Sequence, residues 1–251
     1  MNSSALRSQQ VNRAIYLGDE GVRLMRPSYF TAEVRQFHRR ERLFYLDLLC
    51  KTHYKLIIEV GCSGYRLIGI KNDDNDYLGI EINPPRMRRL KNRRGAVIRC
   101  EARKFFERTR LIDEIMRRYD GKVLCILPFN FIGTMDAPME FLSLVCKAPF
   151  DLAFSLFSTS ETATVARHEY YDLCGITVKG VARTDDYVRL DCSNGFKAFA
   201  FDPVFLVNHI SSYGFRLNDV ECYDVCNFLH FKKGSPEMRG RIMPTEPRNR
   251  Y

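Results

Sequence analysis

Five short apolar runs, KLIIEV (55–60), YLGIEI (77–82), AVIRC (96–100), KVLCIL (122–127) and DLAFSLF (151–157), are rich in β-branched residues and show little polar alternation. A strand with one wet face alternates, so these runs belong in a sheet covered on both faces. Segments of helical period lie between them, at 84–94 with proline in the first turn, at 104–119 and at 136–147. Strand and helix alternating in this way predict βαβ units in a parallel sheet, each crossover right-handed. With 251 residues, 45% of them hydrophobic, the chain can bury one large core and carry elaborations around it.

The flanking text predicts those elaborations. Residues 1–28 are polar and contain Gly18, Gly21 and Pro27, as expected of a loose arm or a lid that orders on binding. From 29 to 50 the residues Phe30, Val34, Phe37, Phe44, Leu48 and Leu49 recur at helical spacing, with Arg and His assigned to the wet face. After Phe157 comes a helix-like stretch, ETATVARHEYYDLC, then two alternating runs, DYVRLDC (186–192) and FKAFAFD (196–202), joined at the hairpin signal Ser193-Asn194-Gly195. A helix after Pro203 leads to two strands around 216–222 and 226–232, close enough to pair antiparallel. The expected organisation is an arm and lid helix over 1–50, a main domain over 51–235 with an inserted cap at about 158–202, and a flexible basic tail over 236–251.

Composition narrows the function classes. The uncharged stretch 123–135 contains Pro128 and falls short of the ~18–20 apolar residues a membrane helix needs. No secretory h-region opens the chain and no lipidation box closes it, so a cytoplasmic protein is expected. The nine cysteines sit mostly singly in apolar runs, and Cys222 and Cys226 lack the partners a zinc site requires, so neither disulfides nor a metal are expected. A net charge of +9, concentrated in RQFHRRER (35–42), RMRRLKNRR (86–94) and RGRIMPTEPRNR (239–250), favours acidic partners such as nucleic acid or anionic metabolites.

The chemistry concentrates at the strand ends. Strand one, LIIEVGCSGYR, runs through Glu59 into Gly61, Ser63 and Gly64, and small residues in a tight turn let backbone N–H groups approach a ligand closely. Strand two ends in Glu81, followed by Ile82, where a carboxylate is suited to both hydroxyls of a ribose. Strand three ends in Glu101-Ala102, and strand four runs into Leu127, Pro128, Phe129 and Asn130. A nicotinamide dinucleotide fingerprint would need glycine at 63 and 66, where the chain has Ser63 and Arg66; P-loop, H-E-x-x-H and G-x-S-x-G motifs are absent.

In this order, at the ends of consecutive predicted strands, these features resemble the class I S-adenosylmethionine-dependent methyltransferases over most of residues 55–232. The turn EVGCSGY keeps Glu59 and Gly61 of the family's first motif and places Ser63 and Tyr65 where further glycines usually stand. The resemblance implies an α/β, Rossmann-like fold: a seven-stranded, mostly parallel sheet with an antiparallel last strand, helices on both faces, an N-terminal helical lid and a small inserted cap. It implies S-adenosylmethionine as cofactor, S-adenosylhomocysteine as product and no metal. Gly61, with Ser63 and Gly64, would pass under the methionine moiety, Glu59 and Glu81 would grip the nucleoside of the cofactor, with Glu81 and Ile82 at the ribose, and Glu101 and Ala102 would flank the adenine. Leu127, Pro128, Phe129 and Asn130 would line the methyl-transfer site, with Tyr29 and Phe129 offering aromatic faces to the sulfonium.

For the acceptor, Asn130, His168 and Tyr171 are the catalytic candidates and Phe131, Arg167 and Tyr170 the substrate-binding ones. Each has a plainer reading: Asn130 as a turn residue, His168 as part of a surface helix, Tyr170 or Tyr171 as core. The capped pocket favours methylation of a nitrogen or oxygen of a small metabolite in a biosynthetic pathway. The alternatives are an RNA methyltransferase using the basic surface and a noncatalytic nucleic-acid or protein-binding module on the same fold.

Overall fold

The computed structural model describes residues 11–63, 67–70, 74–83 and 95–234. The expected helix at 84–94, the tail at 236–251 and Gly64 lie outside the described residues. Seven strands form one sheet: β1 (Leu56–Val60), β2 (Asp76–Glu81), β3 (Ala96–Arg99), β4 (Val123–Leu127), β5 (Asp151–Phe157), and the late pair β9 (Phe215–Cys222) and β10 (Cys226–Lys233). Their order across the sheet is β3-β2-β1-β4-β5-β10-β9. The first five run parallel, and β10 is antiparallel to both its neighbours. Between β5 and β9 a second sheet of three antiparallel strands is inserted: β6 (Val178–Arg183), β7 (Tyr187–Cys192) and β8 (Lys197–Phe201).

The unbroken apolar runs have the predicted cause. Leu56, Ile58 and Val60 of β1 face one hydrophobic cluster and Ile57 the other, so neighbouring residues of the strand are buried on opposite faces. One face is covered by the long helix α3 (Ala32–Lys51), whose Val34, Phe37, Phe44 and Leu48 pack on Ile57, Leu124 and Phe228. Thr31 caps α3, its hydroxyl accepting from Val34 N. The other face is covered by α4 (Ala102–Phe106), α5 (Thr109–Arg118), α6 (Pro138–Val145) and α8 (Pro203–Ser211). The segment 104–119, expected as one helix, is thus part of two. Among the described residues no helix is long and apolar enough to cross a membrane.

Several local expectations change. Residues 11–23 are not a loose arm: they form α1 (Val11–Leu17) and α2 (Asp19–Arg23). The wet face assigned to α3 is partly interior, because Glu41 is fully buried and His38 stacks on Phe30 and Phe129. Strand β6, VKGVAR, has no counterpart in the sequence reading. The helix α7 (Glu161–Leu173) begins at Ser160, whose hydroxyl accepts from Ala163 N.

A buried polar chain joins the sheet's late half to α3's end. The Asn218 side-chain amide donates to His230 Nδ1 (3.1 Å), which places the imidazole proton on Nε2 facing the Tyr54 hydroxyl (2.8 Å), and Tyr54 donates to Asp151 (2.8 Å). Burial, with Lys232 nearby, holds the His230 imidazole down at about 4. The native state therefore favours neutral His230, while the unfolded chain takes up a proton near pH 6.5. This contribution to stability is complete above about pH 6.5 and is lost as the pH falls towards 4, to a total of ~3 kcal/mol. Thermal melts between pH 4 and 7.5 should show His230→Gln with a shallower acid decline than the parent; identical slopes would disprove the assignment.

Candidate cofactor and acceptor site

The carboxyl ends of β1, β2, β3 and β4 open on one cavity of about 550 Å³. It lies where the strand order reverses, on either side of β1 and β4, the usual ligand crevice of an open α/β sheet. Its wall is built in turn by each strand end.

After β1 the chain turns at Gly61, whose φ of 71° lies in the left-handed region. A Cβ placed there would stand 2.6 Å from the Phe131 ring, so only glycine lets the turn lie against that ring. Ser63 follows with φ 36°, its backbone N–H donating to Glu81 (2.8 Å) and its buried hydroxyl without a partner. Glu81, at the end of β2, also accepts from Asn83 N (2.8 Å). Each carboxylate oxygen thus takes one backbone N–H and keeps acceptor capacity towards the cavity it lines. Ile82, Glu101 and Ala102 continue the wall.

The turn after β4 carries the most strain. Phe129 and Asn130 stand at φ 41° and 56°, two successive residues in a region that costs a side chain roughly 1–2 kcal/mol. Hydrogen bonds to neighbouring elements hold them. Phe129 N donates to Glu41 Oε1 (2.7 Å) and to Ser155 Oγ (2.7 Å), Asn130 N to Ser155 O (2.7 Å), and the Asn130 amide to Phe199 O (2.9 Å). Glu41 also accepts from the Ser155 hydroxyl and pairs with His38 (3.4 Å). The three-stranded sheet is seated tightly on this turn, since a Cβ at Gly133 would lie 2.1 Å from Phe199 O.

The remaining wall comes from outside the seven-stranded sheet. Arg13, Tyr16, Leu24 and Met25 face the cavity from the N-terminal segment, and Tyr170 and Tyr171 from α7. Asn12 anchors α1: its N–H donates to Asp136 (2.9 Å), its amide to Thr134 O (2.9 Å) and Lys197 O (2.7 Å), and its Oδ1 accepts from Lys197 N (3.0 Å). Burial raises the Asp136 carboxyl above its ordinary range, against the pull of the Asn12 and Arg13 N–H groups and the Arg13 charge.

Of the expected site residues, Gly61, Ser63, Glu81, Ile82, Glu101, Ala102, Pro128, Phe129, Asn130, Phe131, Tyr170 and Tyr171 line this one cavity. Five do not. Glu59 is buried behind the β1 turn, where it accepts from Leu67 N (3.3 Å) and the Tyr77 hydroxyl, so it braces the loop. Leu127 is sealed in the opposite core cluster. Tyr29 ends a turn of 3-10 helix, Pro27–Tyr29, outside the wall. His168 points to solvent with a side-chain exposure of 46% and pairs with Asp172 one helical turn on (3.1 Å), so it takes no proton from an acceptor in this cavity. Arg167 is wholly buried behind the wall.

Three wall residues take different parts from those expected. Asn130 binds Phe199 O and accepts from Phe157 N (3.4 Å), holding β5 and β8 to its turn. Phe131 sits under Gly61 at the β1 turn. Tyr171 is a neutral phenol, its pKa pushed up by burial, and cannot serve as a base near pH 7.

The sequence reading missed Arg13, Tyr16, Leu24 and Met25. Helices of seven and five residues are too short to show a clear period, and tertiary contacts fix the segment, Asn12 with Thr134 O and Lys197 O and the Tyr170 hydroxyl with Leu24 O.

Parallel strands in the order 3-2-1-4-5, closed by an antiparallel pair, with the crevice at the β1 and β4 ends, are the fold of the class I S-adenosylmethionine-dependent methyltransferases. No family model and no curated protein matches the sequence. Solved structures match the fold. Magnesium protoporphyrin IX methyltransferase (ChlM) from Synechocystis PCC 6803, with bound SAM, superposes with a TM-score of 0.55 at 12% identity, covering 92% of this chain and 99% of that one. The 1,6-didemethyltoxoflavin-N1-methyltransferase of Burkholderia thailandensis gives 0.52 at 11% identity over 93% and 87%, and the CcbJ methyltransferase of Streptomyces caelestis 0.51 at 12% over 78% and 90%.

Proposed function

We propose that the chain is an S-adenosylmethionine-dependent methyltransferase acting on a nitrogen or oxygen of a small molecule. The observation that carries this reading is Glu81, a buried carboxylate at the end of β2, fixed by two backbone N–H groups and facing a cavity with acceptor capacity to spare. The residues present suit the cofactor: the Gly61 cradle leaves no room for a side chain, and the Ser63 hydroxyl is buried without a partner. When bound, S-adenosylmethionine supplies an electrophilic methyl group on a sulfonium.

In this reading Glu81 accepts from the ribose hydroxyls, Ile82, Glu101 and Ala102 flank the base, and Gly61 and Ser63 face the amino-acid part. Phe129 and Tyr170 present aromatic faces at the transfer end, where cation–π attraction favours positive charge. Residues 11–31 and the three-stranded sheet act as lid and cap, with Tyr16, Leu24 and Met25 excluding water. Positioning of this kind supplies ~7–11 kcal/mol of the barrier. With His168 outside and Tyr171 neutral, the acceptor brings its own lone pair or an oxygen already ionised.

A partly aromatic cavity of about 550 Å³ supports a small acceptor. The RNA alternative drew on the net charge of +9, and of its basic runs, 86–94 and 239–250 lie outside the described residues.

Titration calorimetry tests the proposal. Saturable binding of S-adenosylmethionine and S-adenosylhomocysteine is expected, and no heat up to millimolar ligand would leave a noncatalytic module. Glu81→Ala should weaken both ligands by ~1–3 kcal/mol, the penalty for stranding hydroxyl partners. Unchanged affinity would place the ribose elsewhere.

A further inference from the structure

Arg167 is the largest fully buried side chain among the described residues, and no carboxylate among those residues pairs with it. Its guanidinium donates to Val188 O (3.4 Å) and Ala198 O (2.5 Å), while its Nε, also buried, has no partner. The ionisable groups that face it are Tyr171, Cys192 and Arg183. None supplies a negative charge. Burial pushes the Cys192 thiol up to about 12 and the Tyr171 phenol up as well, and Arg183 carries the same sign and is paired with Glu161. A guanidinium does not solve its burial by losing its proton. Carbonyl dipoles hold it, and a full positive charge remains inside the protein with no counter-ion among the described residues. Such a charge is costly unless something compensates it.

Its place gives that charge a use. Tyr171 is four residues on along α7, on the same helix face, with its hydroxyl within hydrogen-bonding reach of the guanidinium. Arg167 also lies 5.8 Å from the centroid of the Phe157 ring. Both Tyr171 and Phe157 line the cavity, so the cation sits one side chain behind its wall. Because the guanidinium can only donate, a Tyr171 hydroxyl turned to it would accept and keep its own proton for an acceptor in the cavity. A hydroxyl polarised by a cation in this way is a stronger donor.

Of the acidic wall residues, Glu81 and Glu101 stand at the ends of β2 and β3, across the switch point from Phe157 at the end of β5, and Asp136 and Glu140 lie just before and within α6. The end at Tyr171 is instead walled by the rings of Phe129, Phe157 and Tyr170 and by Leu24 and Met25. Flat apolar faces beside one cation-backed donor suit a planar acid.

We propose that the methyl acceptor is a small planar molecule bearing an anionic oxygen group, a carboxylate or an ionised acidic hydroxyl, held by the Tyr171 hydroxyl with Arg167 behind it. This rests on the methyltransferase reading and names the class of substrate for the same cavity.

The test uses the full chain saturated with S-adenosylhomocysteine, whose own binding is read first. Benzoate, anthranilate and indole-3-acetate are then titrated beside their primary carboxamides, which keep the shape and lack the charge. At least one acid should bind about tenfold or more tightly than its amide, as expected for a charge-assisted hydrogen bond. Tyr171→Phe should abolish that preference, and Arg167→Met should do the same; if Arg167→Met does not fold, Tyr171→Phe carries the test alone. Equal binding of acids and amides, no binding of either, or a preference that survives Tyr171→Phe overturns the inference while leaving the methyltransferase reading intact. Failure of S-adenosylhomocysteine to bind the parent protein overturns both.

Discussion

Gly61→Ala should lower affinity for S-adenosylhomocysteine by at least about tenfold, or ~1.4 kcal/mol. Two separate penalties combine. The backbone at Gly61 has φ 71°, where a Cβ costs roughly 1–2 kcal/mol. The new methyl would also stand 2.6 Å from two atoms of the Phe131 ring, and Phe131 is itself part of the cavity wall. Relief requires either the β1 turn to lift into the cavity or the ring to move, and both alter the surface on which the ligand rests. Gly180→Ala is the control: nothing lies within 4 Å of the added Cβ, and it should bind ligand like the parent. Titration calorimetry on both variants checks this. Parental affinity in Gly61→Ala would mean that the β1 turn does not touch the ligand.

Glu41→Ala should destabilise the fold by ~3–5 kcal/mol, the range for removing one partner from a buried charged network. At this chain length that corresponds to a fall in Tm of roughly 10 °C. Glu41 is fully buried on α3, and its loss strands the Ser155 hydroxyl and weakens the hold on Phe129 N. The turn at Phe129 and Asn130 then keeps its two left-handed residues with fewer bonds against their strain. Glu41→Gln preserves an acceptor oxygen and should lose much less. Differential scanning calorimetry of the two variants separates the effects; a Tm within a degree or two of the parent for Glu41→Ala would show that the network does not hold the turn.

The parallel sheet could be read in the chain because burial on both faces imposes apolar runs without alternation, a pattern few other environments require. The hairpin at Asn194-Gly195 was readable for a similar reason, since a turn of that geometry selects few residue types. Strand β6 was not, because VKGVAR is half exposed and its partner is fixed only when the insert folds back on β7. At the site, Gly61 and Glu81 stood out because a turn and a strand end fix both position and direction.

Glu59 shares Glu81's face of the sheet, but it stands one residue before the end of β1, where Tyr77 and Leu67 claim it, whereas Glu81 is the last residue of β2. Composition misled at 35–42: inside a basic run, Glu41 is the interior acceptor and His38 is stacked between rings. Arg167 and His168 are adjacent in sequence, yet helix geometry buries one and exposes the other. Only the direction in which α7 docks decides which.

A crystal structure of the protein grown with S-adenosylhomocysteine tests the central claim most directly. The ligand should lie in the cavity at the β1 and β4 ends, with both ribose hydroxyls on Glu81, the base against Ile82 and Ala102, and the sulfur turned towards Phe129 and Tyr170. Ligand bound away from Glu81, or side chains of the protein filling that space in the presence of saturating ligand, would contradict it.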